Sequence, residues 1–210
     1  MRAAGLMAAM MAAACATNEA PRQLPSATTT AETAYAPQIA GTQAAGREIV
    51  RQYQARLRGD DAPLSAEARR AVRAALGEDT LRCAEDYAAL PIEGDGPGGP
   101  GEGLIAVYLV PLPEDDAAVS VGGFHRVTVE ADTGEVVHRA AMTPSCLNLS
   151  LDPGEQASAA TVRSLLVNHA LTPYPLENHV FASMTSAVDL VVITPGTTWR
   201  VAQGRVRALD

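Results

Sequence analysis

Four histidines, one glycine-rich string and a scatter of hydroxyl and acidic side chains are what this chain offers for chemistry. His125 and His138 fall on the two arms of an expected hairpin around Asp132-Thr133-Gly134. A two-residue loop would bring them to one side of the sheet, and a three-residue loop would separate them. His169 is expected near a helix C-terminus, where the dipole favours it, and His179 stands as a polar residue in an apolar strand. No carboxylate or third histidine is spaced to join them, so no metal and no catalytic residue is expected. The string Gly94-Asp95-Gly96-Pro97-Gly98-Gly99 has the letters of a dinucleotide loop without its physics. Pro97 removes an amide, Glu93, Asp95 and Glu102 repel phosphate, and a strand follows where a helix is needed. It reads as a mobile acidic loop, its carboxylates fit no calcium-loop spacing, and no cofactor is expected. Gly-x-Ser-x-Gly and His-Glu-x-x-His are absent, and all sixteen basic residues are arginines. Schiff-base lysines, a phosphate-loop lysine and Ser-x-x-Lys pairs are thereby excluded.

Cys15 carries more information than any of these. It closes an uncharged apolar run that begins with a single arginine, Arg2, and it opens a polar stretch at Ala16-Thr17-Asn18-Glu19. That is the layout of a secretory signal over residues 1–14, too short to span a bilayer. Ala12-Ala13-Ala14-Cys15 resembles the lipobox of bacterial lipoproteins, in which small residues precede a cysteine that is acylated before the signal is removed. The resemblance implies a lipid anchor at Cys15. Ala16, rather than Asp, after the cysteine implies the outer membrane, with the protein facing the periplasm. Ala12 stands where the family usually has Leu, so cleavage after Ala14 or Ala16 to a soluble periplasmic or secreted form is the alternative.

If Cys15 carries lipid, Cys83 and Cys146 are the two thiols left, and an oxidising envelope favours joining them. Closing a loop of about 60 residues would contribute about 4 kcal/mol in the chain-entropy model. Two separate buried thiols are the alternative. The formal charge is −8, or −9 once Arg2 leaves with the signal, which argues against nucleic acid as a partner and against electrostatic attraction to anionic lipid.

The elements that would position these residues follow from the pattern. Residues 15–44 are Ala, Thr, Pro and Gln with few strong apolar side chains, and they read as a disordered linker. One globular domain is expected over 45–210. A helix is predicted over 47–58, with Ile49, Tyr53 and Leu57 on one face, and a second from the Ser65 cap to Gly77 with Ala68, Val72, Ala75 and Leu76 as its stripe. Residues 80–90 read as a short helix or turn before Pro91. The apolar run 104–110 predicts a central strand covered on both faces. Strands are predicted over 121–131 and 135–142. A third helix starts at Asp152-Pro153-Gly154-Glu155 and carries Ala159, Val162, Leu165, Leu166 and His169, and further strands run over 177–184, 188–194 and 198–209, the last folding back at Gln203-Gly204. The order implies an α+β fold, a mostly antiparallel sheet of five to seven strands with three helices. Trp199, Tyr108, Phe124 and Phe181 are expected in the core.

The hairpin sequence Val127-Thr128-Val129-Glu130-Ala131-Asp132-Thr133-Gly134-Glu135-Val136-Val137 resembles the strand-turn-strand end of PepSY-type envelope domains. That resemblance implies binding or restraint of partner proteins and transfers no functional residue. The expected function is that of a non-catalytic domain tethered to the envelope that binds a protein or peptide. An envelope hydrolase with dispersed histidine and carboxylate groups is the alternative.

Overall fold

The computed structural model describes residues 29–77, 83–112, 118–143, 145–150, 164–186 and 188–209. Helices α1 (Thr30–Ala34), α2 (Ala36–Arg58) and α3 (Ala66–Leu76) come first, then strands β1 (Tyr87–Glu93), β2 (Leu104–Pro111), β3 (Ala118–Ser120), β4 (His125–Glu130), β5 (Val136–Ala141) and β6 (Asn148–Ser150). Strand β7 (Ser164–Asn168), helix α4 (Glu177–Thr185) and strands β8 (Asp189–Thr194), β9 (Thr197–Ala202) and β10 (Arg205–Leu209) complete the described chain. The fold is α+β and mostly antiparallel, with two four-stranded sheets of order β1-β2-β4-β5 and β10-β9-β8-β7, and a short β3-β6 pair. No helix among the described residues is long and apolar enough to cross a membrane.

The first sheet is buried on both faces, which accounts for the unbroken apolar run of β2. Ala71 and Ala75 of α3 lie against Ile105, Val107, Leu109, Val127 and Val129. On the opposite face, Ile49, Val50 and Tyr53 of α2 pack on Leu90, Tyr108 and Val110, together with Phe124 and Phe181. The second sheet buries only one face, where Leu190, Val192, Trp199, Val201 and Val206 meet Val180 and Ala182 of α4 and Ile39 of α2. Helices α2 and α4 therefore belong to both cores. They touch at Gly46, where a Cβ would lie 2.5 Å from Val180 Cγ1, so only glycine allows the approach.

Several expectations hold. Ser65 caps α3 by accepting from Ala68 N–H, the β4–β5 hairpin turns through Gly134, and the β9–β10 turn places Gln203 and Gly204 at positive φ. Cys83 and Cys146 are disulfide-bonded with Cα atoms 5.2 Å apart. Trp199, Tyr108, Phe124 and Phe181 are all buried.

Other expectations are corrected. The expected boundary at 44/45 moves: within the linker read over 15–44, residues 29–44 are folded, since α1 opens at the Thr29 cap and α2 starts at Ala36, and residues 15–28 lie outside the described residues. The low hydrophobicity of this stretch hides its tertiary use: Ile39 enters the core of the second sheet, and Glu32, Gln43 and Arg47 hydrogen-bond to β10 and its turn. Leu57, expected on the buried face of that helix, is 65% exposed. Residues 87–90 form a strand that runs on through Pro91, which is tolerated because β1 is a sheet edge. Residues 177–184 are helical, not extended. Strands β7 and β8 are parallel, and a parallel pair needs a crossover, which α4 supplies. Its first turn is closed by Leu176 N–H donating to His179 Nδ1, and seven of its nine residues are buried, so no amphipathic stripe betrays it. Leu165 and Leu166, read as a helical stripe, lie in β7, and His169 follows that strand rather than ending a helix. The capping sequence 152–155 lies outside the described residues, as does Cys15.

Candidate functional site

The hairpin register, left open by the sequence, separates its two histidines. His125 pairs with Ala141 and His138 with Thr128, three residues further along β4, so the two rings are on opposite faces of the sheet. His125 is buried near the Tyr87 ring, and His138 is exposed. His169 and His179 do meet, edge to face, with centroids 4.8 Å apart. His169 Nε2 shares a 2.9 Å hydrogen bond with the Thr172 hydroxyl. Burial pushes His169 down, and burial together with the neighbouring His169 pushes His179 down to about 3, so both are neutral at ordinary pH. Among the described residues no group of three His, Cys, Asp or Glu side chains converges as a metal site. The string around Gly98, expected to be mobile, is packed on α2: a Cβ at Gly98, whose φ is +85°, would lie against the Gly41 carbonyl and Ala45.

What the structure does bring together is a charged cluster that sequence spacing did not reveal. Arg126 on β4, Tyr108 on β2 and Glu177 at the start of α4 meet on the inner face of the first sheet. The Tyr108 hydroxyl donates to Glu177 Oε1 at 3.2 Å, and Arg126 Nη1 donates to the same oxygen at 3.5 Å. The Glu177 side chain is 7% exposed and that of Arg126 37%. Burial opposes the guanidinium charge, yet Tyr108 and Glu177 outweigh it and hold Arg126 above its ordinary value. Burial, reinforced by Glu177, raises the Tyr108 hydroxyl and keeps it protonated. The pair is not a fork. Arg126 Nε and Glu177 Oε2 are both buried without a partner among the described residues, as are Asn178 Oδ1 and His179 Nε2. Four such atoms around one helix start form a concentrated polar deficit, the pattern expected where strain or function holds groups against their preference.

Arg126 and Glu177 of this cluster line a cleft of about 420 Å³. One wall is α2 at Gln38, Gly41 and Thr42 with the Gly98-Gly99 loop, and another is Leu171, Tyr174 and Leu176 before α4. Ala140, Ala141 and Met142, at the end of edge strand β5, form the rim. None of the four histidines lines it. A second cleft of about 410 Å³ lies beside β1, but its charges, such as Glu48 with Arg51, pair with one another at the surface and leave no buried polar group aimed at a ligand.

No protein-family model, curated protein or solved structure matches this chain. Sequence reasoning missed Arg126 and Glu177, which fall within segments predicted only as strands, 121–131 and 177–184. The only available signal was the placement of an arginine on the face of β4 that turns out to be covered rather than wet.

Proposed function

We propose that this chain is a lipid-anchored, non-catalytic binding domain of the bacterial envelope that holds an extended peptide segment of a partner protein in the Arg126 cleft. The observation that carries the reading is the Arg126 guanidinium: its charge is balanced by a buried carboxylate, and it is a third exposed where it lines an apolar-walled cleft. A guanidinium has five N–H donors, and among the described residues Arg126 meets two acceptors, Glu177 Oε1 and the Tyr108 hydroxyl, fewer than its donors. The outer donors suit carbonyl or carboxylate oxygens of a peptide, while Leu171, Leu176 and Met142 offer apolar contact to a side chain. The edge of β5 beside the cleft offers backbone groups to an added strand. The export signal, the lipobox-like cysteine and the Cys83–Cys146 disulfide support an oxidising envelope as the location. The hydrolase alternative lacks a cluster to rest on among the described residues, since no histidine lines the cleft.

The anchor is tested by palmitate labelling, which should mark the wild-type chain and not Cys15→Ala. The cleft is tested in intact cells with a photo-crosslinking residue at Leu171, compared with one at Leu57 on the far end of α2. A discrete adduct from Leu171 alone is expected, and it should be lost in Arg126→Gln and in Gln38→Trp, which fills the cleft mouth without touching the ion pair. Equal capture from the two positions, or adducts indifferent to both substitutions, would overturn the proposal.

A further inference from the structure

Helix α2 has a second groove on its other side. Residues Gln38, Gly41 and Thr42 face the Arg126 cleft, whereas Ala36, Ile39, Ala40, Gln43 and Arg47 face a groove of about 470 Å³ beside edge strand β10. Ala40 lies two residues from Gln38 and from Thr42, or about 200° around a helix, so the two hollows open in different directions. The second groove is basic: Arg47, Arg205 and Arg207 line it against a single carboxylate, Glu32. That carboxylate is already used, accepting from Ala208 N–H at 2.9 Å and from Arg207 at 3.2 Å. Arg205 has no acidic partner among the described residues. On the outer face of the same sheet, Asp189 is occupied by Arg200.

The position of this groove in the chain matters as much as its charge. Glu32, which lines it, lies three residues after Thr29, where the described fold begins, and Thr29 is fourteen residues after Cys15. Fourteen residues reach at most about 50 Å, so an anchored domain stays near the bilayer and its orientation is set by whichever surface the headgroups favour. The net charge of −8 disfavours attraction of the molecule as a whole. At contact, however, charges more than about 10 Å away are screened, and the local sign decides.

We infer that the β10 groove is a membrane-docking surface: Arg47, Arg205 and Arg207 contact the phosphates of anionic lipid, which turns the Arg126 cleft away from the bilayer towards soluble partners. The inference deepens the anchored-domain reading and rests on it for the orientation, while the lipid contact itself can be measured without the anchor. The test uses the full mature chain carrying Cys15→Ser, sedimented at about 0.1 M salt, where the screening length is about 10 Å, with phosphatidylglycerol vesicles or with phosphatidylcholine vesicles. Binding to phosphatidylglycerol alone is expected, and Arg205→Gln/Arg207→Gln should weaken it about tenfold or more, since each arginine at an anionic surface is worth about a factor of five. Arg69→Gln/Arg73→Gln removes the same charge from the exposed side of α3, which packs on the face of the first sheet opposite α2, and should leave binding within about twofold. Equal binding to both lipids, an unchanged Arg205/Arg207 variant, or equal losses in the two double variants would overturn the docking surface. Absence of palmitate at Cys15 would instead remove the anchor and leave the vesicle result to stand or fall by itself.

Discussion

The two four-stranded sheets are built of similar residues and are used differently. In the first, β2 is covered by α3 on one face and by α2 and α4 on the other, so its residues are apolar without alternation. In the second, only the face towards α4 is buried, and β8 and β9 alternate between buried and half-exposed or exposed positions. The edges differ as well. Strand β1 has Pro91, which brings no N–H to the ladder, and its carbonyl accepts from the Gln52 side chain. Strand β10 has free amides at Val206 and Ala208, and these are met by Gln43 and Glu32. One edge is blocked by covalent structure and the other by borrowed side chains, so the second depends on the N-terminal helices staying in place.

The largest expected effect tests whether the sheets are separate at all. Trp199 is fully buried in the second core and donates to the Pro173 carbonyl and the Thr194 hydroxyl. Trp199→Ala should cost about 4 kcal/mol. Because α4 serves both cores, denaturant melts followed by tyrosine fluorescence and by far-UV circular dichroism should still coincide. Two resolved transitions would show that the sheets unfold independently.

Next comes the disulfide, which binds the start of the first sheet to the segment between β5 and β6 across a sequence separation of 63 residues. Replacing both Cys83 and Cys146 by Ser should cost about 4 kcal/mol, with strain and residual structure pulling the measured value down. A loss under about 1 kcal/mol in a urea titration would mean that burial alone holds the first sheet together.

A smaller effect is set by pH where α4 joins the sheets. His179 titrates near 3 in the fold and near 6.5 when unfolded, so the unfolded chain takes up the proton first. Stability is complete above about pH 6.5 and falls as pH drops towards 3, by about 2 kcal/mol at pH 5. His179→Gln should flatten that slope in melts between pH 7 and 4.5, although it is less stable at neutral pH; an unaltered slope would assign the proton uptake elsewhere.

The smallest effect concerns the borrowed edge. Glu32→Gln keeps an oxygen for Ala208 N–H and gives up the ion pair to Arg207, whose side chain is 62% exposed. It should cost under about 1 kcal/mol. Glu32→Ala, which bares the amide, should cost more and speed hydrogen exchange at Ala208; equal effects from the two variants would show that the edge bond contributes nothing.

Much of this architecture was legible in the residues. Ser65, Gly134 and Gln203-Gly204 mark a cap and two turns by local backbone chemistry, and the strands beside them alternate as hairpins do. The unbroken run of β2 announced cover on both faces, and the cysteine count pointed to the one disulfide. These signals are local, or nearly so, and each depends on neighbours within a few residues. The first half of α2, strand β1 and helix α4 depended on distant parts of the chain. Ala and Gln in α2 become a core face only against β10, Pro91 is harmless only at an edge, and Val180 and Phe181 are helical because two parallel strands need a crossover. The Arg126 cluster belongs to the same class. Its ion pair joins residues 51 positions apart on a strand and a helix, and spacing along a chain carries no record of which polar side chains tertiary packing will bury together.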